Sequence, residues 1–513
     1  MTGPTTEVMP GRERPRLLPR VSLAILLLLA FGVRLLDLTN PPFDYHPTRQ
    51  LRSAMIARGM YYENLETAPD WQRQMAVRQW RGQEVLEPTI LETMVAASYR
   101  LAGGEILWIA RVFSSLFWVA GALALYLLAK EIASPDGALI GVAYFLFLPL
   151  AVSASRSFLP DPLMIALTNW GLWLLFRWSS RPDPSWRVTV VTGLIAGLAP
   201  LVKAFALIPL AFGLAGMLLA GGDLRQVLRR AKVWVLGLLI IAPAAVYYVN
   251  GMVITGVIAG QGWRFFPQLL SQVRFYLDWQ ETAVRLMGYG AIMAALLGTL
   301  ALRGRPQGLV LGLSAGYLVY GLAFPYHITT HDYYQLPLIT ILALGAAVAA
   351  GLVVERLAAV TRARWWRVVV ALVMALALVM PLRVARGLAV QRDYRPEVGY
   401  WQHLGNLLEH RSNVIMLAHN YGARLQYYGW VSGPVWLGQS DFRLQALTGG
   451  SVESSEEWIR AQLGGADLFV VTLLGELENQ TVLRSFLYDH HAIYAQGEDF
   501  VVFDLRQELN TPP

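Results

Sequence analysis

The sequence predicts an α-helical polytopic membrane protein of about eleven transmembrane helices followed by a small extracytoplasmic α/β domain. Three observations carry that expectation. The 513 residues are 55% hydrophobic and only 15% charged, with a mean hydropathy of +0.43, far from the balance of a soluble globular chain. Apolar runs long enough to cross a hydrocarbon core recur from Val21 to about Val384. From about Gln391 the pattern changes to short β-rich runs alternating with helical ones, such as "NVIMLAH", "SSEEWIRAQL", "DLFVVTLL" and "DFVVFDL", which reads as a small α/β domain ending in a hairpin.

The chain opens with "GRERPRLLPR" ahead of "VSLAILLLLAFGV". A basic region before an apolar core has the look of a signal peptide, but Arg34 and Asp37 follow where a small-x-small cleavage site would stand. The segment, near 19–38, is therefore expected to remain as the first helix. Further apolar runs lie near 106–129, 137–153, 162–178, 188–220, 233–250, 285–302, 308–325, 336–355 and 367–384. The run 188–220 would form a helix of about 50 Å, too long for one crossing. It carries Pro200 and Lys203 at its middle.

Splitting that run into a hairpin puts every basic connection on one side: the arginines of 12–20, 177–187 and 225–230 with Lys232, then Arg303 and Arg305, then those of 362–367. A single crossing would scatter them over both sides. The basic side is expected to be the cytoplasm. The arginine-over-lysine bias and the lack of a eukaryotic targeting signal point to a bacterial inner membrane. The expected division is a cytoplasmic N-terminus over 1–20, a membrane domain over 21–385 with an outer loop at 40–105, and an extracytoplasmic domain over 386–513.

The composition also excludes classes of function. With no cysteine there is no disulfide, thiolate nucleophile or Cys-ligated zinc. The net charge of +7 sits in clusters between apolar runs, where topology signals belong, so nucleic acid is not an expected partner.

Outside is where the unusual residues collect. Asp44 sits among His46, Arg49 and Arg52 just beyond the first apolar run. An aspartate there is often merely solvated or a helix cap. The arginines of "TRQLRSAMIARGMYY", however, recur at intervals of three and six, near one face of a short amphipathic helix that can lie at headgroup depth and meet a lipid phosphate. In "SASRSFLPDPL", Asp161 before a proline is a good helix cap, whereas Arg156 near hydrocarbon calls for an anion. Lys203, one of three lysines, lies between apolar runs; it either snorkels to the headgroups or serves function. In "PYHITTHDYYQLPL", Tyr333 and Tyr334 suit an interfacial belt, but His331 and Asp332 do not. His327, His331 and Asp332 lack a third well-spaced ligand, so no metal site is assigned.

These groups suit transfer of a sugar from a lipid phosphate. A phosphate leaving group needs cations and little general acid, so one carboxylate base suffices, unlike the paired carboxyls of glycoside hydrolysis. The competing class is a transporter or flippase of a lipid-linked molecule, which also places charge within a helical bundle. No internal repeat is visible, and a large charged first loop favours the enzyme.

An acidic motif after the first helix, an Arg followed by Pro-Asp at the second outer turn, and His-x-Tyr-Tyr-x-Leu-Pro late in the chain resemble the GT-C glycosyltransferases, specifically the protein O-mannosyltransferase and lipid A aminoarabinose transferase group. The resemblance covers about residues 20–385. It implies a GT-C fold and an inverting transfer from a polyprenyl-phosphate sugar to a lipid, glycan or protein acceptor on the outer face. It also implies Asp44 as base, Asp161 as a second acidic position, and Arg156, Lys203 and His331 near the phosphate. His46, Arg49, Arg52, Tyr333 and Tyr334 complete the expected substrate-binding set. Relatives often carry Asp-Glu in the first loop, whereas this chain has Asp44-Tyr45-His46, so no cofactor is expected and catalysis without a metal is favoured.

Overall fold

The computed structural model describes residues 17–222, 224–256, 258, 266–360, 392–447 and 455–509, with isolated residues between 361 and 391. The first helices are α1 (Leu17–Arg34), α2 (Pro47–Tyr62), α3 (Asp70–Arg81), α4 (Ile90–Ala102) and α5 (Ile109–Ile132). They continue as α6 (Pro135–Phe147), α7 (Pro149–Ser155), α8 (Asp161–Ser179), α9 (Trp186–Val202), α10 (Leu207–Gly221), α11 (Leu224–Leu228) and α12 (Ala231–Val249). Then come α13 (Val273–Met287), α14 (Tyr289–Ala301), α15 (Gly304–Ala323), α16 (Pro325–Thr330) and α17 (Leu336–Val360). The expected run at 367–384 falls almost wholly outside the described residues.

By length and apolar composition, four of the described helical stretches can cross a membrane: Ile109–Ile132, Ala204–Gly221, Ala231–Ile254 and Asp332–Val360. Two bent pairs, α6 with α7 at 60° and α13 with α14 at 94°, raise the number to six. The remaining described apolar runs also fold as helices, but shorter or more polar ones; α9 has 17 residues. This is a multi-pass membrane protein whose crossings are often short or broken.

Small residues let these helices touch. A Cβ on Gly298 would lie 1.9 Å from the carbonyl oxygen of Gly345, and one on Gly216 would lie 2.0 Å from that of Gly308. Such backbone approach is how helices associate where lipid removes the hydrophobic drive. The contacts also give direction. Gly193 meets Leu236 and Leu239 while Gly197 meets Leu239 and Ile240, so α9 and α12 run parallel. A single crossing over 188–220 would have made them antiparallel. The hairpin therefore exists, with its turn at Lys203, where a one-turn 3-10 helix (Ala204–Ala206) separates α9 from α10. The basic connections after α8, α10 and α14 lie at the helix ends opposite those that carry Asp161, Lys203 and His331.

The segment 40–105, the expected outer loop, is itself helical, and here one expectation is corrected. Helix α2 is not exposed as a surface helix would be. Leu51, Ser53, Ala54, Met55, Ala57, Arg58 and Tyr61 are all buried, because α3, α4 and the C-terminal domain cover it on several sides. Two of its arginines find carboxylates of the same loop: Arg49 Nη2 lies 3.3 Å from Glu87 Oε1, and Arg58 Nε donates to both oxygens of Glu105 at 3.1 Å.

The C-terminal domain is a four-stranded sheet, β1 (Val414–Leu417), β2 (Leu468–Val471), β3 (His491–Gln496) and β4 (Val501–Glu508), in the order β1-β2-β4-β3. β1 and β2 are parallel, while β4 is antiparallel to both neighbours, giving the expected terminal hairpin. One sheet face packs toward the outer loop through Met416, Val470 and Val502, in a core shared with Phe43, Leu51, Tyr99 and Trp401. Arg58 fastens this contact. Its guanidinium lies 3.7 Å from the ring centre of Tyr427 and 4.2 Å from that of Trp430, and the Tyr427 hydroxyl donates to the same Glu105.

Candidate active site

The loop after α1 turns at Pro41-Pro42 and enters α2 at Pro47, so residues 43–46 are held between a fixed turn and a fixed helix start. His46 adopts a left-handed backbone, φ 46°, which costs of order 1 kcal/mol for a residue with a Cβ. The strained backbone accompanies an aimed side chain: His46 Nε2 lies 2.6 Å from Asp332 Oδ1, across 286 residues of sequence. Asp332 begins the 3-10 turn (Asp332–Gln335) that leads into α17. The first outer loop and the late His-Asp-Tyr-Tyr segment thus form one site.

Asp44 borders a cavity of about 800 Å³ whose lining also includes Tyr45, Arg285, Asp332 and Arg392. Its Oδ1 lies 3.4 Å from Arg111 Nη2, and Arg111 also donates to the carbonyl of Leu38 at 3.2 Å. A carboxylate that borders a cavity can reach the proton of a group bound there. Arg111 reaches further, into a second cavity of about 500 Å³ between the outer loop and the C-terminal domain, lined by Asn40, Trp108, Gln402, Tyr428 and Trp430 among others. Asn40 lines both cavities, so Asp44 stands near their junction.

Asp161 does not line either of these cavities. It is the first residue of α8, with Pro160 as N-cap, and its side chain makes no capping bond. Instead Lys203 Nζ donates to Asp161 Oδ1 at 2.8 Å, with both side chains at most 5% exposed. The capping and snorkelling readings are both replaced by this pair. Lys203 also lies 5.0 Å from the ring centre of Tyr333 and 5.9 Å from that of Tyr334. Arg49 approaches Tyr333 at 5.7 Å. The two tyrosines are buried beneath cations, so they are not belt residues.

His331 joins this cluster, its ring stacked 6.0 Å from that of His46 and its Nδ1 2.8 Å from Thr330 Oγ1. Burial, reinforced by His46 and Arg49, pushes its pKa from 6.5 down to about 4. Near pH 7 it is a neutral hydrogen-bonding group. Arg52 lies on α2 one turn beyond Arg49, half-buried. Arg156 is buried after α7; its Nη2 donates to the carbonyl of Leu36 at 2.7 Å, while its Nε and Nη1 are buried without a hydrogen-bond partner among the described residues.

Sequence reasoning missed three residues of the site. Arg111 lies within the first turn of α5 and reads as a topology charge. Arg285, on the amphipathic helix α13, reads as polar-face decoration; in the fold it lines the larger cavity and has no ion-pair or hydrogen-bond partner among the described residues. Gln335 ties the late segment down, with Nε2 donating to the Ile328 carbonyl at 2.7 Å. Among the described residues no group of three or more His, Asp or Glu side chains is arranged to hold a metal ion.

Comparison with known proteins adds to this geometry. A family model described as dolichyl-phosphate-mannose-protein mannosyltransferase matches residues 87–248, a stretch that contains Arg156, Asp161 and Lys203 but not Asp44 or His331. No curated protein sequence matches the chain. Among solved structures, ArnT from Cupriavidus metallidurans bound to undecaprenyl phosphate superposes with a TM-score of 0.58 at 15% identity, over 94% of this chain and 97% of that one. The archaeal oligosaccharyltransferase AglB from Archaeoglobus fulgidus, in complex with an inhibitory peptide and a dolichol-phosphate, gives 0.57 at 13% identity, over 97% and 74%.

Proposed function

From the GT-C fold that this chain has, we propose that it is an inverting membrane glycosyltransferase that moves a sugar from a polyprenyl-phosphate donor to a lipid, glycan or protein acceptor at the outer face of the membrane. The observation that carries the reading is Asp44, a carboxylate open to a cavity that also holds Arg285, a cation with no partner among the described residues. The likeness to proteins solved with undecaprenyl phosphate and dolichol-phosphate supports a lipid-phosphate donor.

In this reading the donor phosphate lies in the larger cavity against Arg285, with the buried nitrogens of Arg156 nearby. The acceptor approaches from the cavity lined by Trp108 and Trp430. Asp44 takes the proton of the acceptor hydroxyl or amine as its lone pair attacks the anomeric carbon. The bond from that carbon to the phosphate oxygen breaks, and the polyprenyl phosphate leaves with the electron pair and the negative charge. A single open base fits one displacement with inversion. Asp161, paired with Lys203, acts as a positioning residue: the pair fixes the α9–α10 turn beneath Tyr333. In this reading the chain's own cations supply the charge that the leaving phosphate needs, and no metal takes part. By the sidedness of the basic connections, the site faces outward from a bacterial inner membrane, with the N-terminus inside and the sheet domain outside.

The test is transfer of radiolabelled sugar from a panel of polyprenyl-phosphate donors to cell-envelope acceptors by the purified chain. Transfer with release of polyprenyl phosphate supports the reading. Movement of intact lipid-linked sugar between leaflets of a vesicle, with no transfer from any donor, would overturn it in favour of a flippase.

A further inference from the structure

At the helix ends opposite the candidate site, the connections after α8, α10 and α14 enclose a pocket of about 240 Å³. Four basic side chains line it: Arg181, Arg230, Lys232 and Arg305. Asp183, also in the lining, neutralises one of them, since Lys232 Nζ lies 2.6 Å from Asp183 Oδ1. The guanidiniums of Arg181, Arg230 and Arg305 have no ion-pair or side-chain hydrogen-bond partner among the described residues.

A signal for topology needs only charge on the correct side. This pocket has more than that. Arg305 lies directly on Gly221: a Cβ at that glycine would come 2.5 Å from Arg305 Nε, so the missing side chain makes room for the guanidinium. Trp178, buried in the wall, is fixed by a 2.9 Å bond from its Nε1 to Thr189 Oγ1, and Trp186 lies 5.5 Å from the Lys232 ammonium. Helix α12 begins in the pocket and continues with Trp234, Leu238 and Ile241 exposed along one face. Converging unpaired guanidiniums with aromatic walls, leading onto an exposed apolar helix face, match a ligand that is anionic at one end and apolar at the other.

We propose that this pocket binds the headgroup of an anionic diacyl phospholipid, with its phosphate among Arg181, Arg230 and Arg305 and its acyl chains along the exposed face of α12. The site is separate from the proposed chemistry and does not depend on which sugar is moved.

Native mass spectrometry of the full chain in detergent, titrated with phosphatidylglycerol or with phosphatidylcholine of the same acyl chains, tests it. The parent is expected to retain one phosphatidylglycerol at least about tenfold more tightly than phosphatidylcholine, with a preference that weakens as salt is raised. The triple variant R181Q/R230Q/R305Q is expected to lose that preference. A charge-matched control on the same face but outside the pocket, R187Q/R229Q/R303Q, should keep it. Gly221→Ala, which displaces Arg305 without changing charge, should weaken retention while the protein still unfolds cooperatively. Equal retention of the two lipids by the parent, or equal loss in the triple variant and its control, would overturn the proposal.

Discussion

Lys203 and Asp161, 42 residues apart, meet at 2.8 Å in a site where both side chains are almost completely buried. The pair joins the turn between α9 and α10 to the first residue of α8, and the lysine lies over the rings of Tyr333 and Tyr334. It fastens three segments at once. Removing one partner leaves an uncompensated buried charge. Lys203→Met is therefore expected to destabilise the protein by about 3–5 kcal/mol, while the double variant D161L/K203M should recover most of that loss. Thermal unfolding in detergent checks both.

The clamp of Arg58, Glu105 and Tyr427 holds the sheet domain on the outer loop. Replacing Arg58 with Met leaves Glu105 without its cation, and a cost of about 3 kcal/mol is expected. Tyr427→Phe removes only the hydroxyl bond to the carboxylate and should cost about 1.5 kcal/mol or somewhat more. Limited proteolysis should release the C-terminal domain faster from the arginine variant than from the tyrosine variant.

The imidazole of His331 is held at about 4 against an ordinary 6.5, first by burial and then by His46 and Arg49. A lowered histidine pKa means that the unfolded chain binds more protons between those two values. Stability is thus expected to fall as pH drops from about 6.5 toward 4, and to level off outside that window for this group. His331→Gln should flatten that part of the profile. Unfolding midpoints measured from pH 4 to 8 for parent and variant give the comparison.

Arg285 has no partner among the described residues and lines the cavity beside Asp44. If the donor phosphate takes that cation, Arg285→Gln should raise the donor KM by about 10- to 100-fold, the range for loss of a charge-assisted bond. The acceptor KM should change little. Initial rates over both substrates separate the two.

Much of the fold was legible because charge and apolar length constrain one another. The hairpin at Lys203 followed from basic loops alone, and the parallel run of α9 and α12 agrees with it. The terminal strand pair was visible as alternation. The buried setting of α2 was not, because its arginine spacing looks the same whether its partners are lipid phosphates or Glu87 and Glu105. Within the site, Asp44, His46 and the His-Asp-Tyr-Tyr segment stood out as polar groups at membrane ends. The pairing of His46 with Asp332 spans 286 residues and needs the fold. Arg111 and Arg285 carry no local signal; only their position around Asp44 distinguishes them from other helix-end arginines.

The most direct test of the proposed mechanism is the turnover of Asp44→Asn, measured with a polyprenyl-phosphate sugar that the parent uses, alongside donor binding by the same protein. Loss of the base is expected to lower kcat by about 10²- to 10⁴-fold with donor affinity unchanged. Turnover equal to that of the parent would contradict the assignment of Asp44 as the base and, with it, the chemistry derived from this site.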